Sequence, residues 1–369
     1  MDDLQLLREM RSDVGTPAQA TLARGRNTLL RKIDPAGSGS AIGGVPGSGI
    51  SGVAALDGGT RRRRTVTRRF VLAAAAAAVL VGGIVVADVV APAGRPGATA
   101  EAADVLNKAA AATIKTSDPV VKPGQYLKVD TKAVYGAGAQ MPDGSDGNWF
   151  YSTEDQLYVP ADKSADWVWK RGPQVPMGFP DEETKAFALK LYEQRKAEQP
   201  PAGKFNPTAG GLLRLKGGVF EGHERAVLIG TSLKDSASLP RDPQKLLDLI
   251  YERTKGAGKT PDIEAFVTIA DGLRTGVVPA DLRAAMYKAA ALIPGVVMAD
   301  KQATVDGRTG TAIGMPSPDG GGRQDIIIDP SSGLVIGERN ITLKDYPGAP
   351  AGTVQSWTAI KTSVVDSAP

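Results

Sequence analysis

The residue types that most often carry chemistry are sparse in this chain of 369 residues, which has one His and no Cys. His223 lies among polar residues and glycines, in the run Glu221-Gly222-His223-Glu224. One His without Cys cannot build a typical zinc site, and no Ser-x-x-Lys or Gly-x-Ser-x-Gly nucleophile motif is present. We therefore interpret His223 as a loop residue and predict a non-enzymatic protein with no catalytic residue, metal or cofactor.

Two further groups of side chains could contact a ligand. An acidic, Gly-rich patch around Asp143 and Asp146 lacks the ligand spacing of a calcium loop, and it is more typical of a hairpin turn. Four aromatic residues lie on predicted strands, where such residues usually form core and less often line a cavity. The candidates to line a cavity are Trp149, Tyr151, Trp167 and Trp169.

An uncharged apolar run at residues 70–87, extended past Asp88 to Ala91, is long enough to approach the thickness of a bilayer core. It predicts a transmembrane helix over residues 70–91. A buried core helix should show a polar stripe, and none is visible. A cleaved signal peptide is the other alternative, because Ala91-Pro92-Ala93 resembles a cleavage site, although signal peptides rarely follow so long a leading segment.

Charge predicts the orientation of this helix. Residues 1–69 contain 12 Lys and Arg against 6 Asp and Glu, and the remaining residues contain 32 against 34. The positive-inside rule then places the N-terminus in the cytoplasm and the C-terminal domain outside, so the sequence pI of about 9.1 reflects topology and not nucleic-acid binding. The arginines that flank the helix are Arg61, Arg62, Arg63, Arg64, Arg68 and Arg69.

Composition divides the chain into five segments. We predict a cytoplasmic helical segment over residues 1–33, in which two short helices form either a docking element or a loosely structured lead-in. Residues 34–69 are a flexible Gly- and Ser-rich linker that ends in the basic flank. After the membrane helix, residues 92–99 form a second linker, and residues 100–369 form the extracytoplasmic domain.

Within that domain, alternating apolar and polar residues predict strands at both ends, with helices between them. This order is typical of an α+β domain in which a curved antiparallel sheet packs against helices. We predict helices over residues 100–115 and 181–197, with others starting at Asp242-Pro243, Thr260-Pro261 and Pro279. The predicted strands are residues 127–135, 149–152, 156–159, 167–171, 296–305, 309–313, 325–328, 334–343 and 354–365.

Several motifs together resemble an actinobacterial family of single-pass membrane proteins encoded near sigma-factor genes. They include the opening Asp3-Leu4-Gln5-Leu6-Leu7-Arg8, Thr16-Pro17, the Arg-flanked span, Leu239-Pro240-Arg241-Asp242-Pro243, Leu292-Ile293-Pro294-Gly295 and Ser356-Trp357-Thr358. The resemblance implies an envelope sensor or regulator whose cytoplasmic segment binds a sigma factor or another regulator. Because that segment has neither His nor Cys, it cannot be a zinc-type anti-sigma domain.

The Asp-Pro-x-x-Gly hairpin at residues 329–333 also resembles the lipoprotein-carrier and periplasmic sigma-regulator superfamily. That resemblance implies an open half-barrel that holds helices and an apolar or lipid ligand. The alternative function is therefore a membrane-anchored carrier that binds lipid or lipoprotein acyl chains. Deleting the cytoplasmic segment separates the two hypotheses, since only a regulator needs it.

Overall fold

The computed structural model describes residues 97–369, apart from 117, 201–203, 221–222, 225–226 and 347–348. The predicted cytoplasmic segment, the long linker, the membrane helix and the six arginines lie outside these residues, as does most of the second linker. In the part that the structure describes, no helix is long and apolar enough to cross a bilayer.

Among the described residues there are five α-helices, and three of them start after a residue whose side chain caps the first turn: Asp181, Asp242 and Thr260. The carboxylate of Asp242 accepts from Lys245 N at 2.9 Å, and the hydroxyl of Thr260 accepts from Ile263 N at 3.2 Å. Proline follows each of these last two caps at the first helical position, where its missing N–H costs nothing. The helices are α1 (Ala100–Thr116), α2 (Glu182–Ala197), α3 (Pro243–Arg253), α4 (Pro261–Arg274) and α5 (Ala280–Ala291), with a 3₁₀ helix at Leu233–Ser238.

Ten of the strands form one antiparallel sheet, in the order β10-β11-β12-β13-β14-β1-β2-β3-β5, with β4 paired to β2. Its two edges do not meet, so the sheet is open. The strands of this sheet are β1 (Tyr126–Gln140), β2 (Asp146–Pro160), β3 (Asp166–Arg171), β4 (Val175–Met177), β5 (Gly211–Lys216), β10 (Val297–Val305), β11 (Arg308–Pro316), β12 (Gly322–Asp329), β13 (Leu334–Thr342) and β14 (Val354–Val365). Four two-residue strands form two small hairpins: β6 (Val219–Phe220), β7 (His223–Glu224), β8 (Val227–Leu228) and β9 (Thr231–Ser232).

The structure differs from the prediction in the first half of the sheet. The two strands predicted at residues 149–152 and 156–159 are one continuous strand, because β2 pairs with β1 along its whole length. The polar Glu154-Asp155 pair, which suggested a turn, lies within that ladder, and Glu154 lies 3.6 Å from Lys132 on β1. The strand β5 was not predicted. His223 pairs with Phe220 in a short hairpin and does not lie in the loop that the sequence suggested.

The main core lies between one face of the sheet and a layer formed by α1, α4 and α5. Small side chains such as Ala109 and Ala289 let α1 and α5 pack closely, and Tyr287 on α5 is fully buried. Sheet residues that contribute to this core include Val129, Val159, Trp167, Trp169, Ile313, Ile326, Ile328, Val335 and Ile360. We call this side of the sheet the helix-facing side.

A smaller apolar cluster lies on the opposite side, formed by Ala303, Val305, Ala312, Ile327, Ile336 and Ala359. The tip of the β10–β11 hairpin reaches across it, since Asp306 Oδ1 lies 3.4 Å from Lys132 Nζ on β1, although β12, β13 and β14 separate β11 from β1. An α+β fold with a large, open antiparallel sheet and several helices is therefore confirmed.

Candidate functional site

The four aromatic residues that the sequence suggested do not line one common cavity. Trp149 packs edge-on against Phe187 of α2, with ring centroids 6.2 Å apart. Trp169 packs edge-on against Phe220, and the guanidinium of Arg171 lies 4.4 Å from a Trp169 ring centroid. These two tryptophans therefore anchor α2 and the β6–β7 hairpin to the sheet.

The other two aromatic residues lie apart from them. Trp167 donates from Nε1 to the Lys163 carbonyl oxygen at 3.0 Å and lines a small surface pocket that also includes Leu233. Tyr151 lies beside Tyr135 of β1, with ring centroids 5.7 Å apart, on the helix-facing side of the sheet. Burial raises the pKa of the Tyr151 hydroxyl.

A cavity of about 120 Å³ lies where the helix layer meets β13 and β14. Its roof comes from the end of α4 and the segment that leads to α5, and its floor comes from the two strands. The apolar residues of its lining are Leu273, Val278, Leu334, Val335, Ile336 and Ile360, and the polar ones are Arg283, Arg308, Asp329, Ser332, Lys361 and Thr362, with Gly276 in the roof. The cavity is thus amphipathic.

Arg308 lies at the point where β13 and β14 separate. The strands β13 and β14 pair from Ile341–Val354 to Gly337–Ala359, and no pairing continues beyond that position. Arg308 inserts its guanidinium there, and Nη2 donates to the carbonyl oxygens of Ile336, at 3.0 Å, and Ile360. One side chain therefore satisfies two acceptors that strand separation would otherwise leave unpaired.

The charges of the lining are positive overall. Arg283 is committed to the protein, since Nη2 lies 2.7 Å from Asp118 Oδ1 and Nη1 donates to the Val278 carbonyl at 2.7 Å. Burial raises the pKa of Asp329, but hydrogen bonds from Ser332 and Ser331 outweigh burial and lower that pKa. The remaining N–H groups of Arg308 then provide positive charge for a ligand, whereas Lys361 alternates with Ile360 and lies on the opposite face of β14.

A second polar region lies beside the cavity, around the last residue of α4. Arg274 Nη2 lies 2.6 Å from Asp271 Oδ1, and Nε lies 2.8 Å from Glu338 Oε2 on β13. Burial alone would lower the pKa of Arg274, but the two carboxylates outweigh it and raise that pKa. Burial raises the pKa of Glu338, and the Asp271 carboxylate adds to this effect against the guanidinium.

In the part of the chain described here, no group of three or more His, Cys, Asp or Glu side chains is placed to hold an ion. The Asp143 patch is a turn between β1 and β2, in which the Asp143 carboxylate accepts from Ser145 N at 2.9 Å.

Sequence reasoning missed Arg308 and Glu338. Arg308 directly follows the Asp306-Gly307 turn, where an arginine suggests only an exposed charge. Glu338 lies inside an otherwise apolar strand, and a charge at such a position was the available signal for an inward-facing polar site.

Comparison with known proteins adds no assignment: no protein-family model matches the chain, and no curated protein matches it.

Proposed function

We propose that this chain is a single-pass membrane sensor whose extracytoplasmic domain binds a small amphipathic anion and whose cytoplasmic segment acts on a sigma factor or another regulator. The observation that supports the proposal best is the amphipathic cavity between the helix layer and the separated strands β13 and β14. The membrane anchor and the orientation rest on the apolar run at residues 70–91 and its flanking arginines.

A ligand in this cavity could change the conformation of the protein, because it would contact both layers of the domain. Its roof is the α4–α5 connection and its floor is the end of two strands. A carboxylate near Arg308 would compete with the carbonyl oxygens of Ile336 and Ile360 for the same guanidinium. Ligand binding would then change how firmly β13 and β14 are held together.

The size of the cavity favours a sensor over a carrier. Pockets that enclose drug-sized ligands have volumes of about 300–1,000 Å³, whereas this one measures about 120 Å³. A carrier must shield a whole acyl chain from water, and it needs more apolar volume than this. We further propose that the sheet curves as an open half-barrel, which the contact between Asp306 and Lys132 supports.

Deleting residues 1–60 tests the regulatory role. Cells of the source organism would carry the full chain, the truncated chain or no copy, and their transcripts would be sequenced. We expect the truncation to alter the same discrete set of genes as complete loss, with the truncated protein still present in the membrane. Unchanged transcripts together with normal growth would instead support a carrier.

Ligand binding is tested separately, with the full chain in detergent. Butyrate and hexanoate are the probes, and we expect them to raise the melting temperature. Leu334→Trp should abolish this shift by filling the cavity, whereas Leu212→Trp, at a half-exposed leucine of β5, should retain it. A shift that survives in Leu334→Trp would contradict binding in this cavity.

A further inference from the structure

A row of polar side chains crosses five neighbouring strands on the helix-facing side of the sheet. Gln324 pairs with Asn340, and Asn340 pairs with Ser356. Ser356 lies beside Tyr135, one step beyond the last pair of β14 and β1, and Tyr135 pairs with Tyr151. Residues directly opposite each other in an antiparallel sheet share a face. We call Gln324, Asn340, Ser356, Tyr135 and Tyr151 the polar row.

Helices flank the polar row on two sides. On one side α2 packs on β2 and β4, with Phe187 against Trp149. On the other side α4 contacts β13, and it ends at Arg274, which is paired with Glu338. All residues of the row except Ser356 are partly exposed. The row therefore runs across the sheet from beneath α2 at β2, past the end of α4 at β13, to β12.

The row presents several groups that can still form hydrogen bonds. Asn340 Nδ2 donates to Ser356 Oγ at 3.1 Å, and Gln324 Nε2 donates to Glu338 Oε1 at 2.9 Å, which leaves both amide carbonyls as acceptors within the described residues. In the same part of the chain, the hydroxyl of Tyr151 has no hydrogen-bond partner. Unused acceptors and a free hydroxyl suit a ligand with many hydroxyl groups.

The aromatic pair adds an apolar surface to these polar groups. The rings of Tyr135 and Tyr151 are tilted by 45° and lie 5.7 Å apart, and both residues are partly exposed on the helix-facing side of the sheet. A sugar ring has the matching pattern, since its C–H groups can pack on an aromatic face while its hydroxyls reach neighbouring amides and carboxylates.

Charge and length narrow the ligand class. The cations nearest the row are already paired, Arg274 with Asp271 and Glu338 and Arg171 with Asp155, and this favours a neutral ligand over an acidic one. Five strands at about 4.8 Å spacing make a row about 19 Å long, which is enough for several linked sugar rings. We propose that the polar row binds a neutral oligosaccharide chain that lies across the strands.

This site is separate from the cavity. Ser356 of the row and Ile360 of the cavity are four residues apart on β14, which corresponds to about 13 Å. The oligosaccharide proposal and the anion-sensor proposal therefore concern different sites, and either can be correct when the other is wrong.

Oligosaccharide binding is tested by calorimetric titration of the full chain, dissolved in a detergent that has no sugar headgroup. The neutral probes are the hexasaccharides of β-1,4-glucose, α-1,4-glucose, β-1,4-N-acetylglucosamine and α-1,6-mannose, and hexagalacturonate is the acidic one. We expect at least one neutral hexasaccharide to bind, and glucose and hexagalacturonate to bind at least tenfold more weakly. Absence of binding by all four neutral probes at about 5 mM would overturn the proposal.

The strands β1 and β2, which contain Tyr135 and Tyr151, also contain a matched control pair. Tyr126 and Tyr158 form an edge-to-face pair on the opposite side of β1 and β2, with ring centroids 6.5 Å apart. Tyr151→Leu should weaken binding about fivefold or more, whereas Tyr126→Leu should change it less than about twofold. Asn340→Ala, which truncates a partly exposed amide, should also weaken binding while the melting temperature stays within a few degrees. Equal losses in the two tyrosine variants would place the ligand elsewhere.

Discussion

Arg308 donates from Nη2 to the carbonyl oxygen of Ile336 at 3.0 Å, and the same nitrogen also reaches the Ile360 carbonyl. It joins two strands at the point where their own ladder has ended. The arginine follows a turn whose residues, Asp306 and Gly307, both have positive φ. The β10–β11 hairpin therefore closes the gap in the sheet from the side opposite to the helices.

Arg308→Ala should lower the free energy of unfolding by about 1–3 kcal/mol, because two carbonyl oxygens lose their charged donor. Urea unfolding of the full chain in detergent measures this change. Arg214→Ala is the control, since Arg214 is exposed on β5, and we expect a change within about 0.5 kcal/mol. If Arg308→Ala lowered the free energy of unfolding as little as Arg214→Ala does, water would be replacing the guanidinium as the donor.

Gly333→Ala should destabilise the fold strongly, for two separable reasons. Gly333 has φ +67°, and an added Cβ would lie 2.7 Å from Thr113 N and also against the Ala109 carbonyl, both in the backbone of α1. Gly307 has φ +72° with no atom within 4 Å of such a Cβ, so Gly307→Ala isolates the cost of the backbone conformation, about 1 kcal/mol.

The difference between these two glycine variants measures the contact between α1 and the β12–β13 hairpin. We expect Gly333→Ala to cost at least about 2 kcal/mol more than Gly307→Ala in urea unfolding. Equal effects would mean that α1 shifts without loss of packing.

Glu338 should make stability depend on pH. Its pKa is raised above the ordinary value of 4.5, so the folded state binds more protons than the unfolded chain above that pH. Stability from this group is then fully present below about pH 4.5 and falls as the pH rises towards the folded-state pKa. Each unit of pKa difference corresponds to about 1.4 kcal/mol.

Glu338→Gln removes this titration, so the variant should gain stability relative to the unmodified protein as the pH rises above about 4.5. Urea unfolding at several pH values measures the divergence. Glu193→Gln, on the exposed surface of α2, should produce none. Parallel curves for Glu338→Gln and the unmodified protein would contradict the direction assigned to the Glu338 pKa.

The orientation in the membrane is a prediction from the sequence alone. Protease added to intact spheroplasts should remove the region after Ala91 and leave an N-terminal tag protected. Replacing the six arginines at residues 61–64, 68 and 69 by neutral residues should yield mixed topology, because each charge contributes about 1 kcal/mol near an anionic leaflet. Loss of the tag with survival of the large domain would reverse the assigned orientation.

Sequence reasoning worked best where the signal is local. The caps Asp242 and Thr260 with their following prolines predicted the starts of α3 and α4, and the alternation at residues 354–365 predicted β14 with its observed ends. Capping bonds and alternation act within a few residues, so one stretch of sequence contains the whole signal. The same reasoning split β2 at Glu154-Asp155, because those residues favour turns when they are considered alone.

The sites, in contrast, depend on residues that are far apart in the chain. The polar row joins Tyr135 and Tyr151 to Gln324, Asn340 and Ser356, and only the register of β12, β13, β14, β1 and β2 aligns them. A shift of one residue in any of these pairings would turn a side chain to the other side of the sheet.

By itself, the sequence determined the α+β class and the starts of most helices, because capping and alternation are properties of short segments, and the membrane topology stays a prediction from charge. Only the tertiary structure decided that Arg308 reaches the carbonyls of Ile336 and Ile360, and that Arg274 meets Glu338. The physical reason is that these contacts follow from strand pairing and helix packing between segments dozens of residues apart, and no local pattern encodes that register.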